Sequence, residues 1–326
     1  MTFADLLDRF PGLSALVVGD LMLDEYIYGK ATRISPEAPV MVVRHDRTKR
    51  VPGGAANVAK NLLALGARTA VVGVIGGDEA GRLLGESLEP LGFSDVRLVE
   101  ESDRQTTRKT RVLADSAHQV LRIDSEDEKP ASESTCEQLH EMAKKLLHKA
   151  DVLVLSDYLK GTLSRKLVGE LIHEAVALEK TVVANPKPRS ALWYKGAHLI
   201  SMNRKEATEM LGIHPVLADA QAETAAGNLR DLLGSPVLIT LGDSGMVAAS
   251  PSRVCRISAP RVEVYDTAGA GDTVIATSAL GIAVAGFDKT VFELAAHTAA
   301  SVVRKIGVAV PSHEDITALR SLGYST

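Results

Sequence analysis

Cysteine, aromatic side chains and long apolar runs are scarce in this chain of 326 residues. The two cysteines, Cys136 and Cys255, are too few for a disulfide framework or a cysteine-based zinc site, so we expect reduced thiols in a reducing compartment. The most apolar stretch, residues 279–285, is far shorter than the roughly 18 residues that span a bilayer. The amino-terminal segment also lacks the basic start and apolar core of a secretory signal. We therefore expect a cytoplasmic protein without a membrane partner.

An excess of positive charge is missing as well. Lysine and arginine number 37 against 41 aspartates and glutamates, which gives a formal net charge of −4. Nucleic-acid binding favours a surplus of basic residues, so we expect no nucleic-acid partner and interpret the basic run at residues 44–50 as the solvated exit of a strand. The hydrophobic fraction of 45% and the charged fraction of 24% are typical of globular chains.

Three common nucleotide-binding or catalytic motifs are absent from the sequence. The only Gly-Lys pair starts at Gly29 and is not followed by serine or threonine, which excludes a P-loop. A Gly-Ala-Gly run starts at Gly269, but Val274 occupies the third glycine position of a dinucleotide fingerprint. His173-Glu174 and His313-Glu314 both lack a second histidine at the spacing of a zinc hydrolase. The sequence therefore argues against a P-loop kinase, a nicotinamide dehydrogenase and this type of zinc enzyme.

Apolar β-branched runs alternate with helical patterns along most of the chain. This alternation is typical of βαβ units, and strands that are apolar throughout indicate a sheet covered by helices on both faces. We predict an α/β fold with a doubly wound, mostly parallel sheet, in a single domain at residues 1–326. The predicted strands are 15–19, 70–74, 152–155, 181–184, 199–201 and 237–241, and the predicted helices are 55–65, 79–88, 136–149, 165–178, 219–233 and 270–285.

Two segments contain strand-like runs without an intervening helix. The runs at 39–44, 110–113 and 119–123 predict a small β-sheet beside the main one. We place its strands in insertions at about 23–45 and 97–124. A small sheet with two faces can act as a lid, and it can also form the surface of a homodimer because its outer face needs cover.

A glycine-rich turn followed by a helical pattern lies late in the chain. Its sequence is Asp-Thr-Ala-Gly-Ala-Gly-Asp at residues 266–272. Small residues at a helix start allow the N–H groups of Gly269, Ala270 and Gly271 to converge on an anion, and the helix dipole favours that anion. Asp272 is then placed to take a proton from a hydroxyl while these groups hold a transferring phosphoryl group. A plain glycine-rich helix start is the alternative that the local residues leave open.

The chain resembles the ribokinase-like carbohydrate kinases over essentially its whole length. Two distant regions carry the resemblance: the Gly-Ala-Gly-Asp turn ending at Asp272 and the Gly-Gly-Ala-Ala-Asn segment starting at Gly53. Residues 203–206 are similar to the family's NxxE magnesium motif, and residues 240–245 are similar to its nucleotide-phosphate loop. The resemblance implies a kinase that uses ATP and Mg²⁺, with K⁺ as a further expected ion. The residues that it assigns to nucleotide and metal are Asn203, Glu206, Thr240, Gly242 and Gly245.

A narrower resemblance is to the heptose-7-phosphate kinases of lipopolysaccharide core synthesis. It rests on the segments at 18–40, 156–161 and 185–187. It implies that ATP phosphorylates the anomeric hydroxyl of D-glycero-β-D-manno-heptose 7-phosphate, which gives the 1,7-bisphosphate and ADP on the route to ADP-heptose. The sugar's own phosphate needs cations, and the basic cluster at 104–111 is a candidate. The implied roles are Asp272 as base; Asp20, Gly53, Gly54 and Asn57 at the sugar; Arg108 and Lys187 at its phosphate; Lys160 at the transferred or nucleotide phosphate; and Asp157 at magnesium-bound water.

Ala268 departs from the family pattern, which commonly has threonine at this position. The turn therefore offers backbone donors there but no hydroxyl. No HxGH-like segment is present, so we expect a separate nucleotidyltransferase to act on the product. Two other functions stay open: a ribokinase-like kinase for another sugar phosphate or a nucleoside, and a sugar-binding sensor without catalytic activity.

Overall fold

The computed structural model describes residues 1–115, 118–214 and 216–322. In chain order the strands are β1 (Ser14–Gly19), β2 (Leu21–Ile34), β3 (Met41–Gly54), β4 (Arg68–Gly76), β5 (Asp95–Glu101), β6 (Arg108–Ala114), β7 (His118–Ser125), β8 (Val152–Ser156), β9 (Thr181–Asn185), β10 (Leu199–Asn203), β11 (Val237–Thr240), β12 (Met246–Ala249) and β13 (Val254–Ile257). The helices are α1 (Phe3–Arg9), α2 (Ala55–Ala64), α3 (Glu79–Leu88), α4 (Glu133–Leu147), α5 (Arg165–Ala177), α6 (Arg204–Leu211), α7 (Ala222–Leu233), α8 (Ala270–Ala285), α9 (Lys289–Val302) and α10 (His313–Leu322).

The larger sheet has nine strands in the order β13-β12-β11-β10-β9-β8-β1-β4-β5. Neighbouring strands are parallel from β5 to β11, and β12 and β13 add an antiparallel edge. Alternate residues of the central strands pack into different apolar clusters: Val17 lies in one cluster and Leu16 in the other. Both faces of the sheet are therefore covered, and the predicted doubly wound α/β fold is confirmed.

All six predicted strands and all six predicted helices are present; α3 and α8 have the predicted bounds, and the other elements have shifted ends. The helix predicted from residue 136 begins at Glu133, because the hydroxyl of Ser132 accepts a hydrogen bond from the Thr135 N–H at 3.2 Å. The helix predicted from residue 219 begins at Ala222, because residues 219–221 form a separate 3₁₀ turn. These differences lie at helix starts, where pattern alone is least informative.

The smaller sheet, here called the lid, has the strand order β3-β2-β6-β7. The antiparallel pair β2–β3 runs from Leu21 opposite Gly54 out to Ile34 opposite Met41, so the basic run at 44–50 belongs to β3 and the interpretation of that run as a strand exit is wrong. The predicted lid segment at 97–124 also needs correction, because β5 pairs with β4 at the edge of the larger sheet. Only Val99 of β5 is buried, so the mixed composition of this edge strand looks like that of a lid strand.

Parts of the predicted lid segment and of the predicted domain are not described by the structure. Residues 116–117 of the predicted lid segment, and residues 215 and 323–326 of the predicted domain, lie outside the described residues. Within the described ranges, no helix is long and apolar enough to cross a membrane. Cys136 and Cys255 are both free thiols.

Candidate active site

The glycine-rich turn leads directly into the buried helix α8. Gly269 adopts the left-handed conformation with φ of 84°, and a Cβ at this position would lie 2.9 Å from Asn57 Nδ2. The N–H of Ala270, predicted to bind the anion, is instead bonded to the Thr267 oxygen at 3.3 Å, whereas the N–H groups of Gly271 and Asp272 have no acceptor within residues 1–115, 118–214 and 216–322. The first turn of α8 therefore presents free donors at the positive end of the helix dipole, as an anion site requires.

Asp272 has a hydrogen-bond donor on each oxygen of its carboxylate. Asn57 Nδ2 donates to Oδ2 at 2.7 Å, and the hydroxyl of Tyr158 donates to Oδ1 at 2.9 Å. Burial raises the pKa of Asp272, and the two hydrogen bonds and the positive charges of Lys187 and Lys60 counteract part of that rise. A carboxylate with a raised pKa and a fixed orientation is suited to accept a proton from a hydroxyl.

Asn57 reaches Asp272 because a Gly-Gly pair joins the lid to α2. Gly54 has φ of 60°, and a Cβ there would lie 2.3 Å from the backbone oxygen of Asp20. Asn57 is buried, and its Oδ1 has no donor among the described residues. An unpaired buried acceptor is unfavourable, so this oxygen is available to a hydroxyl that binds beside Asp272.

Asp24, a buried carboxylate of the lid, is a candidate site residue that the sequence analysis missed. It lies on β2, where Arg111 Nη1 donates to its Oδ1 at 2.6 Å and a Cβ on Gly53 would lie 2.0 Å from its Oδ2. The strand register pairs Asp24 with Lys109, so these two residues and Arg111 share one face of the lid. The sequence does show a carboxylate at position 24 within the apolar start of β2. The next residue, Glu25, is also a carboxylate and lies on the opposite face, so the sequence alone does not distinguish the two.

Asp20 has a structural role in place of the predicted contact with sugar hydroxyls. Its carboxylate accepts hydrogen bonds from the N–H groups of Tyr158 at 2.7 Å, Lys160 at 3.0 Å and Thr162 at 3.0 Å. The residue is only 1% exposed. Because backbone donors occupy this carboxylate, the prediction is corrected: Asp20 fixes the loop at 158–162.

Lys160 directs its side chain toward an acidic loop. Its Nζ lies 2.9 Å from Glu126 Oε1 and 3.3 Å from Glu128 Oε1. It lines neither of the two cavities described below. The predicted contact of Lys160 with a phosphate is therefore corrected, since its ammonium group is already paired with two carboxylates.

Asp157 is buried beneath the same loop. It accepts hydrogen bonds from the hydroxyls of Ser190 at 2.6 Å and Tyr194 at 2.8 Å. Its relative exposure is 2%, and it borders neither cavity. The predicted role at magnesium-bound water is corrected, because this carboxylate holds the core together instead.

Arg108 lies on the lid face opposite Asp24. The register pairs Arg108 with Leu23 and Thr110 with Glu25, and the Thr110 hydroxyl donates to Glu25 Oε2 at 3.2 Å. Partners in neighbouring strands share a face, so Arg108 lies on the side of Glu25. The Nε of Arg108 is buried and has no hydrogen-bond partner among the described residues, so its contact with the substrate's phosphate stays a prediction.

A cavity of about 190 Å³, here called the small cavity, lies beside Asp272 at the carboxyl ends of β9, β10 and β11. Asn203 and Glu206 border it and form a capping box, in which each side chain accepts from the other residue's N–H at 2.9 Å. Lys187 Nζ donates to the second oxygen of Glu206 at 2.6 Å. Gly269 and Gly271 complete the set of predicted residues that the structure brings together here.

The donors of the small cavity suit a Mg²⁺ ion that is bound mainly through phosphates and water. Mg²⁺ commonly takes one or two protein carboxylates and keeps several waters. Glu206 supplies one carboxylate, and because its oxygens already accept from the Asn203 N–H and Lys187 Nζ, it suits an ion that is held through water. No cluster of three or more metal-binding side chains occurs in the part of the chain that the structure describes. The residues therefore fit an ion that arrives with a nucleotide.

A second cavity of about 610 Å³, here called the large cavity, adjoins the small one, because Thr240 and Gly271 line both. Its lining includes Gly242 and Gly245 and small apolar residues of α8 and α9. Gly245 has φ of 86°, which a side chain would strain. A mostly apolar cavity of this size accommodates a nucleoside, with the free N–H groups of α8 at the junction of the two cavities.

The family of the chain follows from a comparison with known sequence families. Residues 13–315 match the model of the pfkB family carbohydrate kinases. The chain belongs to this family. The kinase is 40% identical to the bifunctional protein HldE of Desulfatibacillum aliphaticivorans over 311 residues, which are 95% of this chain and 63% of that protein. It is also 40% identical to the bifunctional protein HldE of Caulobacter vibrioides over 320 residues, 98% of this chain and 65% of that protein. The kinase thus spans slightly less than two thirds of these relatives.

Solved structures agree on the fold of this pfkB kinase. Phosphofructokinase-2 from Escherichia coli, in complex with potassium, has a TM-score of 0.77 at 18% identity and covers 96% of this chain and 100% of its own. Ribokinase from Arabidopsis thaliana, in complex with ribose and ATP, has a TM-score of 0.72 at 20% identity and covers 94% and 98%. At these identities the likeness shows the ribokinase-like fold alone.

Proposed function

We propose that this pfkB kinase transfers the γ-phosphoryl group of ATP to the anomeric hydroxyl of D-glycero-β-D-manno-heptose 7-phosphate, which yields the 1,7-bisphosphate and ADP for ADP-heptose and lipopolysaccharide core synthesis. The observation that carries the proposal is the position of Asp272, held between Asn57 and Tyr158 beside the junction of the two cavities. The segments that resemble heptose-7-phosphate kinases support the choice of sugar.

In the proposed reaction, Asp272 takes the proton of the attacking hydroxyl. The hydroxyl oxygen forms a bond to the γ-phosphorus, the bond from that phosphorus to the bridging oxygen breaks, and ADP leaves with the electron pair. The N–H groups of Gly271 and Asp272 stabilise the charge on the transferring group. Mg²⁺ supplies neutralisation of phosphate charge when it is bound, and Glu206 and Asn203 are the residues that would hold it. Asp272 finally releases the proton to solvent.

The lid face with Asp24 supports the proposed recognition of the sugar phosphate. Asp24 and the free Oδ1 of Asn57 are acceptors for sugar hydroxyls. Arg111 and Lys109 lie on the same face and supply the positive charge that the 7-phosphate needs. Lys187 borders the small cavity, so we place it at the transferred phosphoryl group and not at the 7-phosphate.

A homodimer through the lid is part of the proposal. Leu121 and Ile123 of β7 are exposed apolar side chains, and their partners across the strand pair are Val112 and Thr110. This register places them on the lid face opposite Asp24, so a second copy can cover them without blocking the sugar site.

Potassium activation is also proposed. The phosphofructokinase-2 relative was solved in complex with potassium. In this chain Ala268 offers no side-chain oxygen at the turn. Initial rates in equal concentrations of KCl and NaCl test the point: a higher rate in KCl supports it, and equal rates contradict it.

The substrate proposal is tested by ADP release with Mg²⁺ and ATP over a panel of sugars and sugar 5-, 6- and 7-phosphates. ³¹P NMR identifies the carbon that is phosphorylated. We expect selective formation of the heptose 1,7-bisphosphate. Turnover of a different sugar would overturn the heptose assignment while keeping the kinase, and sugar binding without any turnover would indicate a sensor.

A further inference from the structure

Tyr158 connects two parts of the site that are far apart in the sequence. Its N–H is bonded to Asp20 at the end of β1, and its hydroxyl reaches Asp272, which lies 114 residues further along the chain. Lys187 Nζ lies 5.0 Å from the centre of the Tyr158 ring. Asp20 therefore holds the backbone of Tyr158, and Lys187 lies over one face of its ring. The hydroxyl points at the Asp272 carboxylate.

We propose that Tyr158 is a positioning residue for the base, because its O–H fixes Oδ1 of Asp272 and leaves the carboxylate in one orientation toward the cavity. This inference rests on the proposed role of Asp272. With Asn57 alone, a carboxylate that is bonded at one oxygen can still turn about its Cβ–Cγ bond. With a second donor from a different element, that rotation is blocked.

The phenol acts as a donor throughout and carries no proton between substrate and solvent. Burial, and next the negative charge of Asp272, raise the pKa of Tyr158 well above its usual value, so the hydroxyl stays protonated. The proton of the attacking hydroxyl therefore passes to Asp272. The Tyr158 bond favours the ionised form of Asp272, so its removal should raise the pKa of that carboxyl.

The other charged groups near Asp272 come from several elements. Lys60 lies on α2, Lys187 follows β9, Asp24 lies on β2 and Glu206 lies on α6. All four are unchanged when the Tyr158 hydroxyl is removed. A shift in the titration of Asp272 after that single change therefore reports the lost donor.

The test is Tyr158→Phe, which removes one oxygen and keeps the ring. We expect kcat to fall about tenfold or more, the KM for ATP to stay the same, and the acid limb of the kcat–pH profile to move up by about one pH unit. The matched control is Tyr194→Phe, which removes the same oxygen from a buried tyrosine that donates to Asp157. The control should lose stability without moving the acid limb.

A second variant and a second readout keep the test decisive. The second variant replaces only Tyr158 by trifluorotyrosine, whose hydroxyl is more acidic and therefore a stronger donor. It should lower the pKa of Asp272 and move the acid limb down, the opposite direction from Tyr158→Phe. The ¹³C signal of the Asp272 carboxyl, assigned with Asp272→Asn, reports the same titration in the full-length protein without any turnover. The Tyr158 proposal is overturned if neither change moves this titration. A failure of the heptose reaction alone would leave the NMR result standing.

Discussion

The carboxylate of Asp272 is the residue on which the proposed chemistry depends, and its surroundings act on it in opposite directions. Burial disfavours the ionised form, while the donors from Asn57 and Tyr158 favour it. A hydrogen bond to a charged group contributes roughly 1.5–3 kcal/mol, so two of them offset a substantial part of the desolvation cost. The net effect is a raised pKa, so the Asp272 carboxylate binds a proton more readily than an exposed aspartate does, as the proposed role as base requires.

Asp272→Asn should remove turnover and keep binding. The amide has nearly the same shape but cannot take a proton, so we expect kcat to fall by about 10²–10⁴-fold while nucleotide affinity stays within a few-fold. ADP release and calorimetric titration with ATP measure the two quantities. The control is Asp288→Asn, because Asp288 caps α9 and asparagine caps a helix equally well. Near-normal turnover in Asp272→Asn would contradict the assignment of the base.

Arg111→Gln should weaken the sugar phosphate selectively. The guanidinium is bonded to Asp24 at 2.6 Å and is proposed to contact the 7-phosphate, so we expect the KM for the sugar phosphate to rise about 10–100-fold with the KM for ATP unchanged. Steady-state kinetics with each substrate varied separately provides the measurement. Arg97→Gln is the control, since Arg97 is an exposed residue paired with Asp95. An equal rise in both KM values would argue against a local role.

At the residue scale, the sequence was informative where function sits in a short contiguous motif. Asp272 and Glu206 lie in such motifs, and the structure brings them to one cavity. Asp24 was missed because its importance comes from its pairing across the lid with Arg111, 87 residues away. Asp20 was misassigned because a carboxylate at a strand end looks the same whether it meets a sugar or three backbone N–H groups.

At the element scale, helix α3 shows how a cap can also tie down a distant loop. Asp78 accepts a hydrogen bond from the Gly81 N–H at 2.8 Å and another from the Thr106 N–H at 3.0 Å. Burial alone would raise the pKa of Asp78, but its hydrogen bonds to Thr106 and Gly81 outweigh that effect and lower it. The same carboxylate thus stabilises α3 and the segment that enters β6.

Asp78→Ala should lower the free energy of unfolding by about 1–2 kcal/mol, the usual loss on removing a helix cap. Because the folded-state pKa of Asp78 is lowered, its contribution is present above the unfolded-state pKa and is lost as the pH falls through the folded-state value. The difference between the two proteins should therefore shrink in acid. Urea unfolding at neutral pH and near pH 3 measures it, with Asp78→Asn as the milder variant. A difference that grows in acid would contradict the ionised cap.

The burial of each element explains whether the sequence could predict it. Strands such as β8 are buried along their whole length, so their composition identifies them directly. β3 was cut short because residues 44–50 are charged, yet a lid strand that is exposed on its faces tolerates charge as long as its backbone is paired with β2. Pairing is a long-range property, and side-chain pattern reports it only where one face is buried.

At the scale of the whole molecule, the lid presents two unlike faces. One face has Asp24 and Arg111, and the other has the exposed side chains Leu121 and Ile123. Exposed apolar side chains on a paired sheet are typical of an interface. The larger sheet and its helices supply both cavities.

Ile123→Lys combined with Leu121→Lys should convert the proposed dimer into monomers, because two charges on the apolar face oppose its burial. Light scattering after size exclusion gives the mass directly. Val176→Lys is the matched control, since Val176 is an exposed apolar residue on α5, away from the lid. A dimer that survives the double change, or an unaltered protein that is a monomer, would contradict the lid interface.

The triple hydrogen bond of Asp20 has a consequence for how new specificities arise. Asp20 anchors to the larger sheet the loop that carries Tyr158, and Tyr158 is one of the two donors to Asp272. Recognition of the sugar, by contrast, is proposed to reside mainly on β2 and β6. Substitutions on those two strands can therefore be selected for other sugars while phosphoryl transfer is inherited intact, which makes this kinase a modular starting point for divergence.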